Sequence, residues 1–172
     1  MVLPLGTTQI PSPPQRGERV RPALSEVEGV RGMKRYPVLL ARGAFIVIMN
    51  WLKQLHFDER GLMPCIIQDI SGKVLTLCYM NRDAIEKTLQ TGKVYVFRRS
   101  QNRLMIKGET SGHIQLVKEV YVDCEENSLL FVVEQKVAAC HAGYFTCYYR
   151  KVTAQGELVI AEKQIFDPKK VY

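Results

Sequence analysis

The fold is decided by residues 62–92, which read LMPCIIQDISGKVLTLCYMNRDAIEKTLQTG. Two short apolar runs, at 62–68 and 74–80, flank a Ser-Gly-Lys turn. Short apolar runs joined by turn residues are typical of paired strands, so this part of the stretch predicts a β-hairpin.

A helix is predicted directly after the hairpin. Asn81 can cap its N-terminus, and Asp83 in the first turn is favourable to the helix dipole. One helical face carries Ala84, Ile85, Thr88 and Leu89. Gly92 then ends the helix, because glycine readily adopts the left-handed conformation of a C-terminal cap.

Further strands are predicted downstream, without a regular alternation of strand and helix. Apolar or β-branched runs lie at 94–97, 104–106, 114–122, 129–133, 144–152 and 158–166. An acidic turn at 123–127 separates two of them. Strands with one helix and no βαβ order favour a mainly β (α+β) fold, with antiparallel strands in two sheets.

The 172 residues divide into two unlike parts. Residues 1–48 hold seven of the 24 lysines and arginines, three of the 17 acidic residues and six of the eight prolines, so +4 of the net charge of +7 lies there. Because this part lacks a hydrophobic period, we interpret 1–48 as an extension that is disordered or not native, with the true start at Met33 or Met49. A transit peptide is the alternative, and a signal peptide is not expected. Residues 49–172 are interpreted as the domain.

Composition excludes several classes of protein. Hydrophobic residues make up 47% and charged residues 24%, as in globular proteins. No run of 18 apolar residues without a charge exists, so we expect no membrane span. The domain carries only +3, and no stripe of aromatic and basic residues stands out, so we expect no nucleic-acid partner.

The five cysteines do not suggest a disulfide framework, because their number is odd and no secretory signal is predicted. Cys65 and Cys78 lie inside apolar runs and are interpreted as core residues. Cys124, Cys140 and Cys147 have polar neighbours. Three thiolates suit a tetrahedral zinc site with one open position, although unconnected free thiols are the alternative. Free thiols indicate a cytoplasmic location.

Two further clusters could bind ions. Asp123, Glu125 and Asn127 would face one side of an extended segment and offer the oxygen ligands that Mg²⁺ prefers. The alternative is an ordinary acidic turn. The loop at 107–113 combines a lysine, two glycines and two hydroxyls, with arginines just upstream, which suits an anion. The alternative there is a polar turn between strands.

Three segments occur in a fixed order along the domain: Lys-Gly-Glu-Thr-Ser-Gly-His-Ile-Gln at 107–115, Asp-Cys-Glu at 123–125 and Ala-Cys-His-Ala-Gly-Tyr-Phe-Thr-Cys-Tyr at 139–148. In that order they resemble the phosphoribosyl-AMP cyclohydrolase family of histidine biosynthesis. Residues 74–81 are also similar to the family's sequence before its helix. The resemblance covers roughly 60–150.

The resemblance implies a reaction and its cofactors. Water adds at C6 of 1-(5-phosphoribosyl)-AMP, and the N1–C6 bond breaks to give an aminoimidazole carboxamide, the third step of histidine biosynthesis. Zinc is implied on Cys124 of one subunit and on Cys140 and Cys147 of the other, in an intertwined homodimer. Magnesium is implied on the residues Asp123, Glu125 and Asn127.

The resemblance also implies roles for individual side chains. His141, next to Cys140, is our first choice for proton transfer, and His113 is the second, either for proton transfer or for holding the purine. The implied substrate-binding residues are Arg99, Ser100, Lys107, Gly108, Glu109, Thr110, Ser111 and Gly112.

Several positions depart from the family pattern. Two of the three magnesium-segment aspartates are replaced, by Glu125 and Asn127, so we expect weaker magnesium binding. Ala142 replaces a threonine, Tyr144 stands where a basic residue is common, and Met105 replaces a tryptophan. A working enzyme is expected, and the alternative is a non-catalytic zinc-containing relative that binds nucleotides.

Overall fold

A computed structural model describes residues 50–172 of the protein, and the predicted extension at 1–48 lies outside the described residues. In sequence order the elements are β1 (Met63–Asp69), β2 (Val74–Met80), α1 (Arg82–Thr91), β3 (Tyr95–Arg98), β4 (Arg103–Ile106), β5 (Gln115–Val122), β6 (Leu129–Gln135), β7 (Arg150–Val152) and β8 (Leu158–Ile160). Short 3₁₀ helices span Arg99–Gln101 and Pro168–Lys170, and residues 50 and 51 are also helical. The predicted mainly β class with an α-helix is confirmed.

The predicted hairpin and helix are both present. Strands β1 and β2 pair antiparallel, with Cys65 opposite Cys78. The Asn81 side chain accepts a hydrogen bond from the Ala84 N–H at 2.9 Å and so caps α1. Gly92 ends α1 in the left-handed conformation at φ 67°, as predicted. Local capping residues therefore set both ends of this helix.

The number of sheets differs from the prediction of two. The main sheet has the order β2-β1-β6-β5, while β3 pairs only with β4 and β7 only with β8, which makes three sheets within residues 50–172. Strands β1 and β6 are parallel, and the other pairs are antiparallel. A parallel pair needs a long crossover connection, and here the elements from β2 to β5 supply it.

The two last predicted strands are shorter than expected. Only Arg150–Val152 and Leu158–Ile160 are strands, instead of 144–152 and 158–166. Tertiary hydrogen bonds explain the first difference, because the Thr146 hydroxyl donates to the Val74 carbonyl at 2.7 Å and the Cys147 N–H donates to the Leu75 carbonyl at 2.8 Å. These bonds tie the segment to the edge of β2 and leave it no partner strand.

A single hydrophobic cluster joins the main sheet to α1. Its largest buried members include Phe131 of β6, Ile67 of β1, Leu75 of β2 and Ile85 of α1. This core fixes β2, β3 and the loops that follow β4 and β6 relative to one another. Within residues 50–172 we find no helix that is long and apolar enough to span a bilayer.

Candidate active site

A cavity of about 470 Å³ lies beside β2 and the glycine-rich loop, a volume in the range of small-molecule sites. Nine of the predicted site residues line it: Arg99, Lys107, Gly108, Glu109, Thr110, Ser111, His113, His141 and Cys147. The predicted residues outside its lining are Ser100, Gly112, Asp123, Cys124, Glu125, Asn127 and Cys140. The loop and the two motif histidines are thus brought together from separate parts of the sequence.

The glycine-rich loop folds back tightly on His113. Gly108 has φ 86°, and a Cβ at this position would lie 2.6 Å from both the carbonyl carbon and the carbonyl oxygen of His113. The Gly112 N–H donates to the Gly108 carbonyl at 2.8 Å, and the His113 N–H donates to the Ser111 hydroxyl at 3.3 Å. Only glycine fits at 108, so the loop and the histidine are positioned as one unit.

Three cations give the cavity a positive wall. Arg98, Arg99 and Lys107 all line it, and the Arg99 guanidinium lies 3.8 Å from the centroid of the Tyr79 ring. The acid in the same loop, Glu109, is paired with Arg103 at 2.8 Å, and this hydrogen bond lowers the pKa of the Glu109 carboxyl. Because Arg103 pairs with Glu109, the one acid of the loop, Glu109 does not neutralise the three lining cations. The cavity therefore suits a phosphate group.

The two motif histidines line the cavity in different surroundings. The His113 ring meets the Phe166 ring edge-on, with centroids 5.0 Å apart and planes at 70°. Its Nδ1 atom is buried and has no hydrogen-bond partner within residues 50–172. His141 is exposed and follows Cys140 directly in sequence. One imidazole is therefore packed by the protein, and the other is accessible to water.

Cys140 and Cys147 lie beside each other on one loop. The Gly143 N–H donates to the Cys140 carbonyl at 3.0 Å, which closes the turn between them. Burial raises the pKa of the Cys140 thiol, the Ala142 N–H on its sulfur lowers it, and the neighbouring Cys147 raises it. Cys147 itself is exposed and lines the cavity. Two of the three predicted zinc ligands are thus adjacent at the site.

Cys124 lies elsewhere, exposed in the acidic turn between β5 and β6. Within residues 50–172, no three histidine, cysteine or acidic side chains are placed to hold a metal ion together. Asp123 instead caps the turn, because its Oδ1 accepts the N–H groups of Asn127 and Ser128 at 2.9 Å each. The Asn127 amide donates to Glu125 at 2.9 Å. One copy of the described residues therefore does not bring the predicted ligands together.

Sequence reasoning missed Gln115 in the cavity wall. Gln115 is only 1% exposed, and its amide N–H donates to the Gln135 side chain at 2.7 Å. The Gln135 amide in turn donates to the His113 carbonyl at 3.5 Å, and the Oε1 atom of Gln115 is left buried with no hydrogen-bond partner among the described residues. Its position two residues after His113, on the same side of an extended segment, could have indicated it.

Other lining or packing residues were also missed, among them Cys78, Tyr79, Phe166 and Tyr172. Cys78 was interpreted as a core residue, yet it is only half-buried and lines the cavity, where burial raises the pKa of its thiol to about 12. Tyr79 supports Arg99, Phe166 contacts His113, and Tyr172 lines the cavity. No sequence signal indicates Phe166 or Tyr172, because they reach the site from the segment after β8.

Known proteins match this protein over the same residues. The family model for phosphoribosyl-AMP cyclohydrolase matches residues 76–149. The phosphoribosyl-AMP cyclohydrolase of Desulforapulum autotrophicum is 52% identical over 122 residues, covering 69% of this sequence and 98% of that relative. The one of Pelotomaculum thermopropionicum is 46% identical over 122 residues, covering 70% of this sequence and 95% of the relative.

A longer relative matches as well. The histidine biosynthesis bifunctional protein of Thermoanaerobacter pseudethanolicus is 48% identical over 124 residues, which cover 72% of this sequence and 57% of that protein. The chain thus spans little more than half of the bifunctional relative and nearly all of the shorter ones. On these matches and on the cavity that its motifs line, the chain belongs to the phosphoribosyl-AMP cyclohydrolase family.

Proposed function

We propose that the protein is a zinc-dependent phosphoribosyl-AMP cyclohydrolase, which hydrolyses 1-(5-phosphoribosyl)-AMP in histidine biosynthesis. The observation that carries the proposal is the cavity, where cationic side chains, His113, His141 and Cys147 lie together. The names of the relatives support the substrate, since they are phosphoribosyl-AMP cyclohydrolases matched over nearly their whole length. Thiolate ligands need a reducing compartment, so we place the enzyme in the cytoplasm.

The cations bind the phosphates of the substrate. Arg98, Arg99 and Lys107 line the cavity together with the glycine-rich loop. A substrate with two phosphate groups gains charge-assisted hydrogen bonds from such a wall. The purine then lies toward His113, the histidine that the protein packs from one side through Phe166.

The donor set fits a shared zinc ion. Cys140 and Cys147 would supply two thiolates from one copy, and Cys124 of a second copy would supply the third. Two observations support this: the first two thiols are adjacent, and Cys124 is exposed on a separate turn. When bound, zinc supplies a Lewis acid that makes a water molecule nucleophilic at neutral pH.

His141 moves the proton in this scheme. It accepts a proton from the water that attacks C6, and it returns that proton to N1 as the N1–C6 bond breaks. The oxygen stays on C6 as the carboxamide oxygen, and the second proton of the water passes to the exocyclic imine nitrogen, which becomes the amide NH2, so atoms and charge balance. The exposure of His141 at the cavity supports this role, because the ring can reach both water and substrate.

A homodimer completes the site in this proposal. A row of apolar side chains crosses the outer face of the main sheet through the paired residues Leu77, Ile66, Leu130 and Tyr121. Leu77 is 46% exposed, Ile66 38% and Tyr121 50%. Monomers rarely expose a continuous apolar row across a sheet, and a second copy would cover it.

Magnesium fits the acidic turn poorly. One oxygen of Asp123 already accepts two main-chain hydrogen bonds, and Asn127 turns its amide N–H toward Glu125. Mg²⁺ requires near-octahedral oxygen ligands, so we expect weak binding at Asp123, Glu125 and Asn127. No step of the reaction is assigned to it.

Turnover by the purified full-length protein tests the proposed function. Zinc-loaded protein should open the ring of phosphoribosyl-AMP, which is followed by the absorbance change of the product. Cys140→Ala should abolish the activity, while Cys65→Ala, which removes a thiol from the core instead, should retain it. Stoichiometric zinc without turnover would contradict the proposal and favour the non-catalytic nucleotide-binding relative.

A further inference from the structure

The segment after β8 is bound to the loop between Cys140 and Cys147. The Gly143 carbonyl accepts the N–H of Ile165 at 2.7 Å and that of Phe166 at 3.3 Å. The Gln164 amide donates to the Ala142 carbonyl at 3.0 Å. We name residues 164–172 the docked segment. Its main chain is thus fixed on the loop that carries two of the proposed zinc ligands.

The docked segment continues into the cavity wall. Asp167 caps the 3₁₀ helix Pro168–Lys170 by accepting the Lys169 N–H at 3.1 Å, and the Tyr172 N–H donates to the Pro168 carbonyl at 2.9 Å. Tyr172 then lines the cavity. The segment is therefore a built part of the site, held by hydrogen bonds along its length.

Phe166 is the residue of this segment that reaches a motif histidine. Its ring contacts the His113 ring edge-on at 5.0 Å, an arrangement that aromatic rings favour. Active-site imidazoles are usually oriented by a hydrogen bond at one nitrogen. His113 lacks such a bond at Nδ1 within residues 50–172, so the ring contact supplies the orientation.

The main chain of His113 is held separately from its ring. The N–H donates to Ser111 at 3.3 Å, the carbonyl accepts from Gln135 at 3.5 Å, and Gly108 packs against both atoms of the same carbonyl group. These contacts act on the main chain of His113 and not on its imidazole ring. The contact with Phe166 acts on the ring itself.

We propose that Phe166 is a positioning residue for His113, so that the docked segment is part of the active site. The inference rests on the proposed function, because it assumes that His113 acts on the substrate in this cavity. Phe166 touches neither substrate nor metal in this account. It acts by keeping the His113 imidazole in one rotamer, which a catalytic or purine-binding group needs.

Three variants of the full-length zinc-loaded protein test the proposal. Phe166→Leu keeps an apolar side chain and removes the ring, Phe166→Tyr keeps the ring, and Ile165→Ala is the matched control. The Ile165 side chain is 49% exposed, while its N–H makes the docking bond that the variant retains. We expect Phe166→Leu to lower kcat about tenfold with KM within about twofold. Phe166→Tyr and Ile165→Ala should stay near wild type.

The histidine NMR spectrum gives a readout that is independent of turnover. The protein has only three histidines, so the ring signals are assigned by single substitutions. Phe166→Leu should shift the His113 ring signals, because the ring current of Phe166 is lost, and His56 should not change. Unchanged His113 signals, or an unchanged kcat with shifted signals, would overturn the proposal. If the wild-type protein does not turn over phosphoribosyl-AMP, the proposed function fails first. If the wild-type protein does turn over the substrate and Phe166→Leu matches it, the positioning role of Phe166 alone fails.

Discussion

Gly108 shows how one residue couples the glycine-rich loop to a histidine. It combines a positive φ with a main-chain contact that leaves no room for a side chain. Gly112 in the same loop has φ 72° but open space around its Cβ position, so it needs glycine for conformation alone. Gly108 is therefore required both for its backbone conformation and for lack of space, whereas Gly112 is required for its backbone conformation alone.

Gly108→Ala should weaken substrate binding more than Gly112→Ala. Both changes cost about 1–2 kcal/mol of left-handed strain, and only Gly108→Ala must also push the His113 main chain away. We expect a clearly higher KM and a lower melting temperature for Gly108→Ala. Steady-state kinetics and thermal unfolding measure both. Equal effects of the two variants would contradict the proposed close packing of the loop.

His141→Asn tests the proposed proton transfer at a single side chain. Because a positioned acid–base group contributes roughly 10²–10⁴-fold, we expect kcat to fall within that range while KM changes little. His56→Asn is the control, since His56 is exposed and contacts the main chain of Glu125. A kcat for His141→Asn within about threefold of wild type would exclude His141 as the proton carrier.

At the scale of elements, local signals predict some parts of the fold and not others. Helix α1 follows from the Asn81 cap and the Gly92 stop, which act within their own turns. The structure of the segment 144–149 does not follow from local signals. Its Thr146 hydroxyl is bound to β2, and the ring centroids of Tyr144 and Tyr149 stack 3.9 Å apart. The bond from Thr146 reaches Val74, which is 72 residues away in sequence, so apolar content alone wrongly predicts a strand.

The residues of the candidate site also fall into those that the sequence predicts and those that it does not. The glycine-rich loop, His113 and His141 could be recognised, because their chemistry is concentrated in short motifs. Phe166 and Tyr172 could not be recognised, since the docked segment lies outside the three motifs that carry the resemblance. Gln115 lies between these cases, as a polar residue buried in a motif whose partner Gln135 is on another strand.

Asp69 joins β1 to β6 and gives the fold a pH dependence. Burial acts to raise the pKa of Asp69, but hydrogen bonds from Ser71 and from the main chain of Gln135 outweigh it and hold the pKa below its usual value. A lowered pKa means that the ionised form stabilises the fold above about pH 4. That contribution is lost as the pH falls through the lowered pKa.

Asp69→Asn should therefore destabilise the protein at neutral pH and make its free energy of unfolding less dependent on pH. We expect a loss of about 1–3 kcal/mol at pH 7 from the weakened hydrogen bonds, and a smaller difference from wild type at about pH 3. Urea unfolding at both pH values measures this. Asp83→Asn, at an exposed position of α1, should cost less than about 1 kcal/mol. An equal loss of stability in Asp69→Asn at both pH values would contradict the lowered pKa of Asp69.

At the scale of the whole molecule, the positive charge relates to the substrate, and the exposed apolar surface relates to a protein partner. Of the net charge of +7, +4 lies on residues 1–48, outside the described residues, and +3 lies on the domain with its cationic cavity wall. The domain's excess suits a phosphorylated substrate. The apolar row on the outer face of the main sheet instead indicates a protein partner, which we propose is a second copy.

Metal removal should loosen the dimer as well as stop the reaction. If each zinc ion joins two subunits, chelation breaks a link between them and lowers the melting temperature. Light scattering and thermal unfolding before and after chelation measure this, and re-addition of zinc should reverse both changes. Chelated protein that stays fully dimeric with an unchanged melting temperature would contradict the shared site.

The most direct test of the shared zinc site is complementation between two inactive variants. Cys124→Ala and Cys140→Ala should each be inactive alone. In a mixed dimer, one site would combine Cys124 of one subunit with Cys140 and Cys147 of the other. After unfolding and refolding an equal mixture with zinc, the account predicts recovery of about a quarter of the wild-type rate on phosphoribosyl-AMP, because half of the dimers are mixed and each holds one intact site. A mixture as inactive as its components, with mixed dimers present, would contradict it.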